Sequence, residues 1–189
     1  VIGYDWYREA RQILSKKPVK SSADLKGLEV RVPEQQLWVD AWKAAGCSPS
    51  AIAWAEIYTS LQQGLVNAVE APVSLLCSSK FQEQAKYLTI TNHTYNSVGV
   101  VMNAEKFNGL TKKQQQALID AAKEAGQYQG QLYRESESEN IEAMVEANVE
   151  VFELKTEQRE AMFKPTEEFA QQAEASGEWT AGLWAKIKG

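Results

Sequence analysis

The stretch Asp24-Leu-Lys-Gly-Leu-Glu-Val-Arg-Val-Pro33 predicts a short strand that ends beside a charged side chain. Its apolar residues alternate with polar ones, as in a strand with one buried face, so Glu29 and Arg31 point to the other face. Pro33 then predicts the start of a helix. Ligands of open α/β sheets bind beyond the carboxyl ends of strands, and a guanidinium suits a carboxylate. Taken alone, this segment favours a surface arginine paired with Glu29 or Glu34.

The segments that follow alternate between helix and strand. The expected order is a helix over residues 33–45, a strand over 52–54, a helix over 56–63, a strand over 65–71 and a helix from 72 to about 84. Gly46 and Gly64 predict two of the helix ends. Residues 4–14 before this series read as one strand. This order predicts a parallel or mixed sheet covered by helices.

The second half of the chain is predicted to be mainly helical. Strands are expected over residues 87–91, 95–102 and 149–154, and helices over 111–147, 156–176 and 179–188. Apolar residues of the 111–147 helix recur at helical spacing and predict a single buried stripe. Gly126 and Gly130 weaken its middle by about 1 kcal/mol each against alanine, which predicts a kink or break. Pro165 predicts a kink or division in the next helix.

Composition excludes several classes of protein. The 189 residues are 44% hydrophobic and 24% charged, enough for one large domain or two small ones. No apolar run reaches the length of a membrane span. A net charge of −5 and scattered lysines argue against nucleic-acid binding. His93 is the one histidine, and Cys47 and Cys77 match no metal spacing, so neither metal nor cofactor is expected. A disulfide between the two cysteines stays open.

Four segments in order carry a resemblance to one family. They are Asp24-Leu-Lys-Gly-Leu-Glu-Val-Arg-Val-Pro33, Trp54-Ala-Glu-Ile-Tyr-Thr-Ser-Leu-Gln-Gln-Gly-Leu-Val-Asn-Ala-Val-Glu70, Lys80-Phe-Gln-Glu-Gln-Ala-Lys-Tyr-Leu88 and Thr91-Asn-His93. Together they resemble the DctP-type substrate-binding proteins of tripartite ATP-independent periplasmic (TRAP) transporters.

The resemblance implies a fold and a role. The fold is α/β and periplasmic-binding-protein-like, of the class II two-lobed type, with a mixed sheet flanked by helices and a long helix that spans the lobes. Residues 1–97 would form the ligand-binding lobe two, and residues 98–189 a return strand, the long helix and terminal helices of lobe one and the interface. The chain would be a C-terminal fragment that lacks the first segment.

The implied function is that of an extracytoplasmic receptor, not an enzyme. Such a receptor closes its lobes around a small organic acid and delivers the acid to the TRAP membrane permease subunits. The location would be periplasmic, or lipid-anchored outside a Gram-positive cell. A monomer is expected, with a domain-swapped dimer as an option for a fragment.

The resemblance also assigns ligand-binding residues. The family's Arg-Val-Pro arginine pairs with the ligand carboxylate, and here it is Arg31. A second family arginine matches Arg11, with Arg8 as the competitor, although either could be a solvated charge. Trp54 stands where the family often places an aromatic residue against the ligand, but a tryptophan between two alanines could equally be core.

One motif departs from the family pattern. Many sialic-acid and dicarboxylate receptors carry Glu-Asn-Pro where this chain has Glu70-Ala71-Pro72. Ala71 offers no side-chain hydrogen bond, which argues against those two ligands and leaves room for a bulkier or less polar acid. Glu70 and Ala71 of this motif are candidate ligand-binding residues. Asn96 is a weaker candidate for a polar ligand contact, its alternative being an ordinary turn residue.

Two other functions compete with the receptor. An α/β enzyme would use Glu70 or Glu56 with His93 as acid and base, which requires perturbed pKa values. An interaction protein would oligomerise through the 111–147 helix, although its apolar stripe lacks a strict heptad.

Overall fold

The computed structural model describes residues 1–96 and 98–188, which form a mixed α/β structure. The strands are β1 (Gly3–Trp6), β2 (Arg11–Ser15), β3 (Glu29–Val32), β4 (Ser48–Ala51), β5 (Ala68–Pro72), β6 (Tyr87–Ile90), β7 (Val98–Val100) and β8 (Glu150–Glu153). The helices are α1 (Ser22–Leu25), α2 (Gln36–Ala44), α3 (Ile57–Gln63), α4 (Val73–Ser78), α5 (Ala104–Asn108), α6 (Lys112–Glu146), α7 (Thr156–Ala175) and α8 (Leu183–Lys188). None of these helices is long and apolar enough to span a bilayer.

The main sheet has six strands in the order β4-β3-β5-β2-β6-β8. Strands β3, β4 and β5 run parallel, β2 runs antiparallel to β5 and β6, and β8 joins β6 in parallel at the edge. The predicted mixed sheet and the predicted strand over residues 149–154, which is β8 here, are therefore confirmed. A separate antiparallel ribbon pairs β1 with β7.

Two apolar clusters cover the two faces of this sheet. Leu14, Val69 and Ala71 belong to the cluster under α3, α4 and the end of α6. Ile13 and Val30 belong to the cluster that packs with α2 and α7. Neighbouring residues of a strand point to opposite faces of the sheet. The two clusters therefore define the face on which each of the remaining strand residues lies.

The long helix α6 is one continuous element, so the predicted break at its glycines is wrong. An ideal Cβ at Gly126 would lie 2.7 Å from two atoms of the Trp6 ring, and one at Gly130 would lie 3.2 Å from the Cβ of Tyr7. Both glycines therefore allow the β1 segment to lie close against the helix. Trp6 strengthens the contact, since its Nε1 donates to the carbonyl of Ala122 at 3.0 Å.

The predicted apolar stripe of α6 is only partly buried. Ala122 and Met144 are buried as expected. Tyr128, Leu132 and Val145 are exposed in this structure, which corrects the expectation of one continuous buried face. The reason is that the helix meets β1 in its first half and α4 in its second, so no single partner follows its whole length.

Several element boundaries differ from the predicted ones. Residues 4–14 form two strands in different sheets, not one. The helix after Pro72 ends at Ser78, because Lys80 adopts a left-handed φ of 57°. Pro165 lies inside α7 without dividing it. The predicted strand over 95–102 is described only as β7, and residue 97 lies outside the described residues.

The two cysteines are both free thiols. Cys47 lies in the cluster that packs with α2, whereas Cys77 packs against the cluster on the other face of the sheet. The disulfide that the sequence left open is therefore absent. Burial raises the pKa of the Cys47 thiol to about 12, so this thiol stays protonated and unreactive at neutral pH.

Candidate functional site

The predicted site residues meet at one edge of the main sheet. Arg31 stands near the carboxyl end of β3, and the parallel strands β4 and β5 end at the same edge. Arg11 opens the antiparallel strand β2 opposite Pro72, the last residue of β5. His93 follows the carboxyl end of β6. Strand direction alone thus brings these groups together.

Arg31 is a buried cation that has no carboxylate partner among the described residues. Its side chain is only 4% exposed, and its Nε donates to the backbone carbonyl of Ile52 at 2.8 Å. Among the described residues, its buried Nη1 finds no hydrogen-bond partner. No ion pair joins it to Glu29 or Glu34, so the surface-pair alternative for Arg31 is wrong. Burial lowers the pKa of the guanidinium, although it stays charged at neutral pH.

Trp54 forms an aromatic wall beside Arg31. The Arg31 guanidinium carbon lies 5.4 Å from the centroid of the Trp54 ring. The centroid of the Phe81 ring lies 5.3 Å from that of Trp54, and the two rings are tilted relative to each other. Trp54 occupies a 3-10 turn (Trp54–Glu56), so the predicted strand over 52–54 is wrong. The side chain is 38% exposed, which also rules out the core alternative. An indole held in this way offers an apolar face next to a cation.

Arg11 is the second arginine of the site, and it is already paired. Its Nε binds Glu70 Oε2, while its Nη2 donates to Glu70 Oε1 at 2.7 Å and to the Glu70 carbonyl at 2.8 Å. Both residues are buried. The alternative of a solvated Arg11 is therefore wrong. The pair forms because register places Arg11 beside Pro72, on the same face as Glu70.

Two further side chains complete the environment of Glu70. Trp38 Nε1 donates to Oε1 at 3.1 Å, and His93 Nε2 lies 3.3 Å from Oε2. Burial by itself would raise the pKa of Glu70. The hydrogen bonds and charges of His93 and Arg11 outweigh burial, so the pKa stays below its usual value. Glu70 is therefore an ionised carboxylate with both oxygens in use.

The two arginines leave the sheet on opposite faces. Arg31 is in register with Val69, so its side chain lies on the face covered by α3 and α4. Arg11 lies two residues before Ile13, which pairs with Glu70, so its side chain lies on the opposite face, covered by α2 and α7. Their surroundings differ accordingly. Arg11 is neutralised by a carboxylate, and Arg31 is covered by an aromatic ring. Arg11 is thus part of a buried ion pair, whereas the Arg31 guanidinium has no counter-charge among the described residues.

The remaining predicted residues lie nearby in different settings. Ala71 is fully buried in the cluster under α3 and α4, opposite Gln12 of β2. Asn96 is half-buried in the segment between β6 and β7. Within the described parts of the chain, no hydrogen bond connects Asn96 to either arginine. The ligand contacts predicted for Glu70, Ala71 and Asn96 stay predictions.

Trp38 and Phe81 are site residues that the sequence reasoning missed. Trp38 lies in the predicted helix over residues 33–45, and its indole N–H bond to Glu70 depends on packing between residues 32 positions apart in the chain. Phe81 lies in the quoted Lys80–Leu88 segment without an assigned role. An unusual density of tryptophan in one amphipathic helix was the available signal for Trp38.

A family model matches almost the whole chain. The model for bacterial extracellular solute-binding proteins, family 7 (DctP), covers residues 1–176. The 2,3-diketo-L-gulonate-binding periplasmic protein of Escherichia coli K12 is 42% identical over 137 residues, which are 72% of this chain and 42% of that protein.

Solved structures agree with this match. A TRAP periplasmic solute-binding protein from Ochrobacterium anthropi with bound L-fuconate is 33% identical with a TM-score of 0.80, covering 98% of this chain and 62% of that one. One from Sulfitobacter sp. NAS-14.1 with bound α-D-taluronate is 30% identical with a TM-score of 0.84, covering 99% and 60%.

The fold is that of one class, the solute-binding proteins of TRAP transporters. The chain belongs to the DctP family of bacterial extracellular solute-binding proteins. It spans less than two thirds of the length of the relatives described above. The family consists of binding proteins, so the enzyme alternative is wrong, even though Glu70 and His93 do lie together.

Proposed function

We propose that this chain carries the carboxylate-binding part of a solute receptor, with Arg31 as the residue that holds the acid. The observation that supports the proposal most directly is the buried Arg31 guanidinium, whose Nη1 has no hydrogen bond to a described residue. A buried guanidinium without an anion is costly, and a bidentate carboxylate relieves that cost. The bound ligands of related structures include small sugar acids, which supports an organic acid as the solute.

The remaining parts of the role follow from the family and are proposals too. The six-stranded sheet would be the body of lobe two, and the β1–β7 ribbon and α6 would connect it to lobe one. The receptor would close over its ligand, work as a monomer in the periplasm and deliver the acid to TRAP membrane subunits. The relatives support a periplasmic rather than a lipid-anchored protein. The division at residue 97 stays a prediction.

A thermal-shift screen tests the proposal first. The panel contains keto acids, aromatic acids, sugar acids and dicarboxylates, because selective binding to the native state raises the melting temperature with ligand concentration. Isothermal titration of each hit then compares the wild type with Arg31→Ala and Arg31→Lys. We expect Arg31→Ala to lose about 2–5 kcal/mol of binding free energy, and Arg31→Lys to recover only part, since lysine cannot bind bidentately.

The matched control is Arg134→Ala, which removes an exposed guanidinium from α6. This variant should bind within about twofold of the wild type, because an exposed charge is screened by solvent and salt. Full affinity in a folded Arg31→Ala variant would contradict the proposed role of Arg31.

A further inference from the structure

Glu9 is a buried carboxylate with one oxygen that receives no hydrogen bond. The residue is 1% exposed, and its Oε2 accepts from the backbone N–H of Ser74 at 3.2 Å and from the Ser74 hydroxyl at 2.6 Å. Its Oε1 is buried as well, but no described residue donates to it. The described residues alone already enclose Oε1, so no group from elsewhere reaches it unless they move. A buried acceptor without a donor is destabilising.

Glu9 lies in the segment that joins the two sheets. Residues 7–10, the crossover segment, lead from β1 of the ribbon to β2 of the main sheet. This segment packs on α6, where Gln129 Nε2 donates to the carbonyl of Tyr7 at 2.8 Å. Ser74 belongs to α4, which packs against α6 too. Glu9 therefore lies where the crossover segment, α4 and α6 meet.

The spacing of side chains along α6 places Glu137 next to Glu9. An ideal Cβ at Gly130 would lie 3.2 Å from the Cβ of Tyr7, and the Arg134 guanidinium carbon lies 4.9 Å from the centroid of the Tyr7 ring. Positions 130, 134 and 137 share one face of the helix, since residues three and four apart are neighbours. Glu9 follows Tyr7 by two residues, so it meets this face one turn further on, at Glu137.

The two glutamates have no counter-charge in the described part of the chain. Burial and the charge of Glu9 raise the pKa of the half-buried Glu137. The other titratable groups on the elements packed around the pair are Tyr7 and Arg8 of the crossover segment, Arg134 of α6, Tyr95 before β7 and Cys77 of α4. None of these groups forms an ion pair with either glutamate among the described residues. A proton on Glu137 is thus the way to relieve the repulsion.

We propose that Glu9 and Glu137 form a proton-binding site, in which protonated Glu137 donates its hydroxyl to Glu9 Oε1 and links the crossover segment to α6. A neutral carboxyl group has one O–H donor, and Glu9 Oε1 is the acceptor without a donor. Half-exposed Glu137 exchanges the proton with solvent. When the proton leaves, two carboxylates face each other and the link between the crossover segment and α6 is lost.

A proton suits this site better than a metal ion does. Calcium and magnesium require six or more oxygen ligands, whereas a proton requires one donor and one acceptor. No group of three or more metal-ligating side chains occurs among the described residues. The inference goes beyond the proposed function and is independent of it, because Arg31 and its ligand take no part in the proton site.

Carbon-13 NMR of the glutamate carboxyl groups tests the site in the unaltered protein. We expect one carboxyl carbon to titrate at least about one pH unit above the usual value of about 4.3, and its signal to be missing in Glu137→Gln. Glu9→Gln should lower this midpoint, because it removes the charge that opposes ionisation. The matched control Glu139→Gln changes an exposed acid of α6 and should leave the midpoint unchanged. A Glu137 midpoint at the usual value, or one that ignores Glu9→Gln, overturns the inference.

Hydrogen exchange tests the link between the crossover segment and α6. Peptides covering residues 7–15 and 73–78 are compared about one pH unit below and above the measured midpoint, after correction for intrinsic exchange rates. In wild type, protection should fall at least about threefold at the higher pH. Glu137→Gln keeps an N–H donor for Glu9 at every pH, so its protection should not change. Glu137→Ala has no donor and should be weakly protected at both pH values.

Two further outcomes decide against the inference. Equal protection of the wild type at the two pH values would show that the proton does not link these elements. Calcium that restores the lost protection at the higher pH would show a metal site in place of a proton site. If a variant does not fold, the wild-type midpoint and the wild-type exchange decide the inference by themselves.

Discussion

Arg11 and Glu70 form a closed ion pair in which one guanidinium contacts both carboxylate oxygens and the backbone carbonyl of the same glutamate. Both side chains are almost fully buried, and Trp38 and His93 contact the remaining sides of the carboxylate. A buried pair of this kind has a net charge of zero. It stabilises the local structure and leaves Arg31 as the open cation of the edge.

Replacing Glu70 should destabilise the protein strongly at neutral pH. In Glu70→Gln the Arg11 guanidinium stays buried without a counter-charge, which costs about 3–5 kcal/mol in comparable buried pairs. Denaturant unfolding of the variant beside wild type measures this free energy. The exposed Glu34→Gln should cost less than about 0.5 kcal/mol. Equal stability of the two variants would contradict the buried pair.

Protonation of Glu70 should lower the free energy of unfolding at acidic pH. The pKa of Glu70 is lower in the folded protein than the value of about 4.3 expected unfolded. Its stabilising effect is therefore fully present above about pH 4.3 and is lost as the pH falls through the folded pKa. Unfolding free energies between pH 7 and 3 should decline more steeply for wild type than for Glu70→Gln. Parallel curves would contradict the prediction.

Glu137 on α6 should have the opposite effect on stability, because its ionisation destabilises the folded protein. Burial and the charge of Glu9 raise the pKa of Glu137, and Glu9 itself is buried with no hydrogen-bond partner for Oε1 among the described residues. Ionised Glu137 thus weakens the fold once the pH exceeds its unfolded pKa. Glu137→Gln should raise the unfolding midpoint at pH 7 but not at pH 4, whereas the exposed Glu139→Gln should change neither.

The close approach of Trp6 to α6 predicts a cost for a single methyl group. Alanine at position 126 gains about 1 kcal/mol of helix propensity over glycine, but its Cβ would lie 2.7 Å from the indole of Trp6. Overpacking costs about 1–3 kcal/mol, so Gly126→Ala should be net destabilising. Gly109→Ala, whose nearest contacts are 3.5 Å or longer, is the matched control. Chemical unfolding compares the two, and a more stable Gly126→Ala would refute the contact.

Trp54 should contribute to ligand affinity through its ring. Trp54→Ala removes the face above Arg31 and the apolar wall, and a cation–π contact of about 0.5–2 kcal/mol corresponds to a loss of roughly twofold to thirtyfold. Trp54→Phe keeps a ring and should lose less. Titration with the best acid from the screen measures both variants. An unchanged affinity in Trp54→Ala would remove this residue from the site.

Much of the fold could be predicted from local pattern. Side-chain periodicity predicts the strand around Arg31 and the order of strands and helices, and turn chemistry predicts the glycine that ends α3. The structure confirms these predictions. The predictions that failed depended on long-range packing. Local sequence predicts a kink or break at Gly126, because the residue that packs against it, Trp6, lies far away in the chain. Likewise, Trp54 looked like strand or core because neither its turn nor its exposure follows from two flanking alanines.

The sequence by itself determined the family, the mixed sheet and the position of Arg31 at a strand end, because these depend on short motifs and on local periodicity. Only the tertiary structure decided the state of each charge. Antiparallel register between β2 and β5 brings Arg11 beside Glu70, while alternation along β3 directs Arg31 to the other face. Pairing and burial across the sheet are properties of register and packing, and these determine which of two similar arginines stays open to an anion.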